Sequence, residues 1–464
     1  MTRTYVAEAL NKVGESIKLN GWIHNYRDHG KIIFIDLRDQ SGIIQVVCPK
    51  DMPRIDELRP EWVIELVGQV NKRPENLINK DLETGTIEIQ ATEITVLSQA
   101  ETLPFDIKDD GYQINEEIRL RYRYLDMRRM RMQRNLTARH KVFNFTRQFL
   151  SDLGFREIDT PILARSTPEG ARDFVVPSRH YPGNFYALPQ SPQQYKQLLM
   201  VGGLEKYFQI ARCFRDEDFR ADRQAEFTQL DIEISFAEQE DILKMIEKLF
   251  YSAVTNIFPE KKIKEFPFPR IAYDDTMKLY QSDRPDIRND KNDNDELAFA
   301  FIVDFPMFEK QPDRKGWAPV HHPFTRPQND NPADVEKNPG EIKAFQYDLV
   351  LNGSEIGGGS LRTYQSEMLQ TVFKILGHDD KAIKDNFGHL LEAFSFGVPP
   401  HGGIAIGMDR FLSIILEEKN IREVIPFPKT EGGRELMTGS PASITSDQMN
   451  ELKLKLKTNQ HDSI

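Results

Sequence analysis

The sequence predicts an α+β protein of more than one domain: a small five-stranded β-barrel, then a larger domain in which strands are broken by helices. Three observations carry this. Segments of alternating polarity fill residues 17–98, clear helical periodicity begins only after the Arg-rich stretch that ends at Arg139, and 464 residues exceed one core, since domains usually run about 100–200 residues. With 39% hydrophobic and 29% charged residues and no low-complexity tract, disorder is excluded as the default.

The barrel strands are "IKLNGWIHN", "KIIFIDLRD", "GIIQVVC", "WVIELVGQV" and "TGTIEIQATEITVL", with a short helical insert between the third and fourth. Five such strands joined by Gly-bearing turns point to a Greek-key barrel of the OB type, a fold that often grips single-stranded nucleic acid. The predicted first domain is 1–100. "AETLPFDIKDDGYQINEE" follows without periodicity, so 101–135 reads as a linker whose second part is rich in arginine.

The N-terminus has no apolar run of signal length and nothing later approaches the roughly 20 apolar residues of a membrane span. A cytoplasmic protein is expected. Cys48 and Cys213 lie far apart, which fits reduced, packed thiols rather than a disulfide or zinc site. The net charge of −11 argues against nucleic acid. Yet "RLRYRYLDMRRMRMQRNLTAR", Arg119 to Arg139, holds eight arginines and one acid. That segment reads either as a solvated helix face or as a site for phosphate backbone.

The second domain is predicted over 136–440. Val142, Phe145, Phe149 and Leu153 recur at helical spacing and pack a core, with Gly154 as the stop. Further helices are expected at 240–257 and 364–380, a polar turn-rich loop at 281–296, and a tail from 441 to 464 with weak helical periodicity in "SDQMNELKLKLK".

"RCFRDEDFRADRQAEFTQLDIEIS" (212–235) reads as a hairpin. Alternation lets one row of a strand face a cleft and the other enter the core, so Arg215 and Glu217 are expected on one face. Surface ion pairs alone would explain such a hairpin, at about 0–1 kcal/mol per pair. Its company changes the reading. The hairpin resembles motif 2 of the class II aminoacyl-tRNA synthetases, "GFREIDTPIL" before it resembles motif 1, and "GGIAIGMDRF" at 402–411 resembles motif 3. HIGH, KMSKS and P-loop signatures are absent. "TPEGARDF", "LPQSPQQYKQLLM", "HHPFT" and "NGSEIGGGSLR" resemble the bacterial type of aspartyl-tRNA synthetase. The resemblance covers nearly the whole chain.

What it implies is an OB-fold anticodon-binding domain plus a catalytic domain built on an antiparallel sheet flanked by helices. Two steps share one site: L-aspartate and ATP give aspartyl-adenylate and pyrophosphate, and the 3′ end of tRNA(Asp) then takes the aspartyl group. A preorganised arginine and a metal would offset charge growing on the α-phosphate. By resemblance, Arg215 takes that contact and also touches aspartate, and Arg410 lies by the γ-phosphate; these are the catalytic candidates. Asp216, Glu217, Gln224, Phe227, Gly407, Met408 and Asp409 complete the ATP site, with Phe227 stacking on the base. Asp348 and Glu355 are the implied ligands of magnesium (Mg2+) that arrives with ATP, hard oxygen donors for a hard ion. The glycines of "GGGS" and "GIAIG" would let backbone approach the substrates.

Aspartate selection is assigned to Lys196 and Arg362 on the side-chain carboxylate, with Gln193 and Asp231 at the α-amino group. Asparagine would leave those buried cations under-paired. Glu169, in the 167–173 loop that closes over aspartate, and His321 complete the pocket. In the barrel, Phe34 is to stack on the middle anticodon base, unless it is plain core, with Gln45 reading its edge and Arg27 nearby. The Arg-rich linker would meet tRNA backbone.

The family's bacterial members usually carry a large domain between motifs 2 and 3. The span from Asp231 to His321 is too short for it, so 262–300 reads as the remnant of a deleted insertion. His29 lies in the loop where strict and relaxed members differ, and the reading favours the relaxed form, with tRNA(Asn) a second acceptor. An asparaginyl- or lysyl-tRNA synthetase would need other groups at 196 and 362. A non-catalytic tRNA-binding paralogue would have lost Arg215, Glu355 or Arg410. Homodimerisation through motif 1 is a further expectation from the resemblance.

Overall fold

The computed structural model describes residues 1–166, 170–310 and 316–456. The chain forms two compact units, Met1–Asp109 and the remainder from Asp110 on.

In the first unit β1 (Ser16–Asp28), β2 (Ile32–Asp39), β3 (Gly42–Pro49), β4 (Val63–Lys72) and β5 (Ile87–Ser98) close into a barrel of order β1-β2-β3-β5-β4. Period-2 alternation sends Ile17, Leu19, Ile33, Ile35, Leu37, Ile44, Val46, Ile64, Leu66, Ile87 and Ile89 inward. At Gly68 a Cβ would lie 2.6 Å from Gln90 O, so closing β4 on β5 requires glycine there. The helical insert expected between β3 and β4 is a single 3-10 turn, Ile55–Glu57. Pro53 and Pro60 bracket a stretch too short for an α-helix. Cys48 packs in this core, and burial pushes its thiol up to about 12.

In the second unit, β6 (Arg156–Glu157), β7 (Lys206–Phe214), β8 (Glu226–Ser235), β9 (Arg270–Ala272), β10 (Phe299–Val303), β11 (Gln346–Leu351), β12 (Ser354–Leu361) and β13 (His401–Gly407) form one sheet, ordered β9-β10-β11-β12-β13-β8-β7-β6. The expected antiparallel sheet is mixed: the six strands from β10 to β7 pair antiparallel, and β9 and β6 add parallel partners at the edges. Since β9 and β10 are sheet strands, 262–300 is part of this framework rather than a loose remnant. Among the described residues no helix is long and apolar enough to cross a membrane.

The Arg-rich segment is neither a linker nor a solvated face. It folds with the second unit as α1 (Glu116–Arg121), α2 (Arg123–Asp126) and the start of α3 (Met130–Asp152). Arg121 and Arg134 are exposed, but Arg119, Arg123 and Arg129 are buried. Arg123 Nη1 and Arg129 Nε each bind Asp126 at 2.8 Å, Arg119 and Arg131 hold Glu423 at 2.8 and 2.9 Å, and Arg131 also holds Glu418 at 2.6 Å. Two of these acids lie almost 300 residues downstream, so nothing local in the sequence could have shown them.

On α3 the buried stripe is Ala138, Val142, Thr146 and Leu150; Phe145 and Phe149 are half-buried and Leu153, just past the helix end, is 43% exposed. The small and polar members of that stripe were invisible to an apolar count. α4 (Gln193–Val201) and α5 (Gln239–Ile257) follow, the latter as expected. The helix expected at 364–380 is two, α6 (Ser366–Ile375) and α7 (Asp380–Ser395), parted at Gly377 with φ +85°. α8 (Met408–Ile415) follows β13 directly, and among the described residues of the tail Ser446–Glu451 form a helix.

Candidate active site

The register across β11, β12, β13 and β8 lays two rows of side chains over one face of the sheet. Gln346 pairs with Ser360, Ser360 with Gly403 and Gly403 with Glu233; Asp348 pairs with Gly358, Gly358 with Ala405 and Ala405 with Asp231. The two middle strands supply only Ser, Gly and Ala, so the floor is low. The outer strands supply Gln and three carboxylates. Above this floor is a cavity of about 450 Å3. Leu230 and Ile232, the other row of β8, enter the core beneath. One charged row and one apolar row on a single strand is the arrangement that the alternation predicted.

The glycines answer to the protein itself. A Cβ on Gly358 would lie 2.8 Å from Asp348 Oδ1, one on Gly357 2.7 Å from Ala405 O, and one on Gly403 would collide with Glu233. Packing within the sheet is thus a reason for glycine at these three positions; at Gly407 a Cβ meets nothing closer than 3.5 Å.

Lys196, from α4, and Arg362, just past β12, converge on the acids. Lys196 Nζ is 2.7 Å from Asp231 Oδ1 and 3.5 Å from Glu233 Oε2, while Arg362 holds Glu233 through Nε at 2.9 Å and Nη2 at 3.1 Å. All four are buried, two cations beside two anions. Burial pushes Glu233 up, but Arg362 and then Lys196 outweigh it and keep it a carboxylate. Asp231 Oδ2 is buried without a hydrogen-bond partner among the described residues, an open acceptor at the cavity wall. Gln193 also lines the wall, its amide donating to Gln197 at 3.2 Å.

The two adjacent histidines differ. Arg362 Nη1 donates to His322 Nε2 at 2.8 Å, and burial followed by the Arg362 charge drives His322 well below its ordinary value, leaving it neutral. His321 Nε2 meets Asp348 Oδ2 at 3.0 Å; burial lowers it, but Asp348 prevails and the net shift is upward. Asp348 itself lies beneath His321 and Gln346, off the described cavity lining. Glu355 does line the cavity and is raised, first by the Asp348 charge and then by burial.

At the other end, β7 stops at Phe214, so Arg215 and Glu217 sit in the loop before β8 and not on a strand face as expected. Arg215 stacks over the Phe227 ring at 5.2 Å. Glu217 faces Arg223 at 3.5 Å. Gln224 accepts from Lys429 N–H at 3.0 Å, which leaves its buried Nε2 without a partner among the described residues. Arg410 Nη2 is 3.1 Å from Asp222, and Nη1 donates to the Glu355 carbonyl. Three expected ATP residues are not at the described surface in the way supposed. Met408 is core, Asp216 donates its backbone N–H to Arg172 O and accepts Arg172 Nε at its carbonyl, and Asp409, though at the lining, spends its carboxylate on Arg139 and the Thr228 N–H. Glu169 lies outside the described residues.

Sequence reasoning missed Glu233, His322, Ser360, Gln346 and Asp222. For Glu233 the signal was present: it is two residues from Asp231 and shares its face.

On the barrel, Arg27 pairs with Phe34 and Asp36 with Gln45 across β1, β2 and β3. Arg27 binds Asp36 through two contacts of 2.7 and 2.9 Å, and Gln45 donates to Glu88 at 2.9 Å. Phe34 lies outside the core, half-buried, with His29 edge-on at 5.3 Å.

Residues 115–431 match the family described as tRNA synthetases class II (D, K and N). The chain belongs to the class II tRNA synthetases. Residues 17–97 match the OB-fold nucleic acid binding domain. An aspartate–tRNA(Asp/Asn) ligase of Dehalococcoides mccartyi (strain CBDB1) is 38% identical over 583 aligned positions, with 96% of this chain and 97% of the relative covered. One from Moorella thermoacetica is 39% identical, with 95% and 94% covered. Because 583 positions exceed the 464 residues here, the first relative carries stretches without a counterpart in this class II synthetase. The asparaginyl-tRNA synthetase from Pyrococcus horikoshii complexed with asparaginyl-adenylate superposes with TM-score 0.76 at 23% identity, over 93% of this chain and 98% of that one. It shares the fold. As a class II synthetase the chain is an aminoacyl-tRNA ligase.

Proposed function

We infer that this ligase activates L-aspartate with ATP and transfers the aspartyl group to the 3′ end of tRNA(Asp). The observation that carries the choice of amino acid is the buried quartet of Lys196, Arg362, Asp231 and Glu233. With the α-ammonium of aspartate on Asp231 Oδ2 and Gln193, three cations face three anions once its side-chain carboxylate joins Lys196 and Arg362. Asparagine supplies no third anion. A buried charge left without its partner costs roughly 3–5 kcal/mol, ample for discrimination. His321, and Glu169 from its loop, would close over the bound amino acid.

In the first step an α-carboxylate oxygen attacks the α-phosphorus and the bond to the β-phosphate oxygen breaks, releasing pyrophosphate. Arg215 holds the charge that grows on the α-phosphate oxygens, Arg410 anchors the γ-phosphate after exchanging Asp222 for it, and Phe227, Glu217 and Gln224 hold the adenine. In the second step the 3′-hydroxyl of the terminal adenosine attacks the acyl carbon and AMP leaves. Glu355 with Asp348 fits a divalent cation: the charge of Asp348 works against ionised Glu355, a repulsion that a cation relieves. Among the described residues no group of three or more His, Cys, Asp or Glu could hold a metal alone, which suits magnesium shared with phosphates. When bound it supplies charge neutralisation at those phosphates.

The tRNA would be read by the β1–β3 face of the barrel, Phe34 stacking on the middle anticodon base with Gln45 and Arg27 beside it. We take tRNA(Asn) as a second acceptor, as the names of the relatives say of them, with His29 against Phe34 as the local determinant. A cytoplasmic homodimer is part of the same reading. Two measurements test it. Pyrophosphate exchange should run with aspartate and at least a hundredfold slower with asparagine; equal rates would remove the quartet argument. Charging purified tRNA(Asp) and tRNA(Asn) side by side should give product with both, and product with tRNA(Asp) alone would establish the strict form. Phe34→Ala should lower charging about ten- to a hundredfold, from stacking of roughly 1–3 kcal/mol per base, while aspartate-dependent exchange stays unchanged.

A further inference from the structure

One side chain outside both motifs fastens motif 2 to motif 3. Arg139, on α3, ion-pairs through Nη1 with Asp409 Oδ1 and donates from the same nitrogen to Val424 O at 3.2 Å. Its Nη2 donates to Thr228 Oγ1 at 3.0 Å, and the guanidinium lies 4.7 Å over the Phe143 ring. The other oxygen of Asp409 accepts the Thr228 backbone N–H at 2.8 Å. Thr228 Oγ1 also receives Arg212 Nη1 at 3.0 Å. Thr228 directly follows Phe227 on β8, and Asp409 directly precedes Arg410 in the first turn of α8.

We propose that Arg139 is a positioning residue for ATP, setting the distance between the Phe227 ring and the Arg410 guanidinium through Asp409 and Thr228. This rests on the reading of Phe227 and Arg410 as the adenine and γ-phosphate contacts. Asp409 is 3% exposed. Deprived of its cation, a buried carboxylate must find water or a proton, and either course gives up the Thr228 N–H and frees α8 to shift against β8. A guanidinium spans three oxygens in a fixed fork, which an ammonium cannot reproduce. The amino-acid end is insulated: Lys196, Asp231, Glu233 and Arg362 hold one another through their own ion pairs. The effect should therefore fall on one substrate of two.

The test is pyrophosphate exchange with the full-length enzyme, varying ATP and aspartate separately. Arg139→Gln should raise the KM for ATP about ten- to a hundredfold, the scale of a misplacement near 1 Å, and leave the KM for aspartate unchanged. Arg139→Lys should recover part of that loss, and Asp409→Asn added to Arg139→Gln should cost nothing more. Thr228→Val, which removes a single oxygen, should raise the ATP KM two- to threefold and serves where Arg139→Gln does not fold. Unchanged ATP KM in Thr228→Val or in a folded Arg139→Gln enzyme overturns the proposal, and so do equal rises for both substrates. Arg410→Ala, measured alongside, separates the two levels: an unchanged ATP KM there overturns the ATP reading and this proposal with it, whereas a raised one beside a normal Arg139→Gln enzyme overturns this proposal alone.

Discussion

Arg215→Ala is expected to lower aspartate-dependent pyrophosphate exchange by a factor of about 10² to 10³, with an unchanged melting temperature. The asymmetry follows from what Arg215 touches. Its side chain is only half-buried, lies over Phe227 at 5.2 Å, and among the described residues makes no salt bridge. The fold therefore loses little when it goes. The reaction loses a cation already in place where charge accumulates on the α-phosphate, a kind of loss worth about 3–4 kcal/mol in other enzymes. Arg215→Lys should fall between, because an ammonium keeps the charge but not the planar fork. Retention of more than half the wild-type rate in Arg215→Ala would remove Arg215 from the mechanism, and a large drop in melting temperature would make it a structural residue.

Glu423→Gln should do the opposite, with stability as its main loss. Burial alone would raise the Glu423 carboxyl, but Arg119, Arg131 and Arg123 outweigh burial and hold it down to about 2. Its ordinary value is 4.5. A carboxylate whose folded pKa is depressed stabilises the fold fully above the unfolded value, and that contribution is lost as pH falls from about 4.5 towards 2. The depression corresponds to roughly 3 kcal/mol. Neutral glutamine also leaves Arg119, Arg123 and Arg131 with less counter-charge, so a loss of about 3–5 kcal/mol at pH 7 is expected by urea titration. The variant should show a shallower acid limb between pH 5 and 2 than the wild type. A loss under 1 kcal/mol would mean that the network is replaceable by its remaining acids, Asp126 and Glu418.

The contrast between these residues marks what a linear reading can reach. Arg215, Lys196, Asp231, Arg362 and Arg410 are found at the cavity because they stand in motifs whose spacing is local, and alternation along the strand LDIEIS puts Asp231 and Glu233 on one face. Glu233 was legible by the same rule. The Met408 side chain enters the core because the helix turn between Gly407 and Arg410 points it to the side away from Arg410. Asp409 lines the cavity, but its partner Arg139 is 270 residues away in sequence.

Hydrophobic period and turn residues, acting over a few positions, determined the five-stranded barrel, the α5 helix and the strand that carries Asp231 and Glu233, while the resemblance of short ordered motifs pointed to the class II synthetases. Tertiary structure alone decided that Arg119 and Arg131 turn to Glu418 and Glu423, that Lys196 and Arg362 arrive already paired, and that Arg139 ties the two motifs together. The division has a physical cause. Backbone propensity and side-chain alternation act between near neighbours, whereas a buried charge is tolerated only beside its partner, and that partner can come from anywhere along the chain.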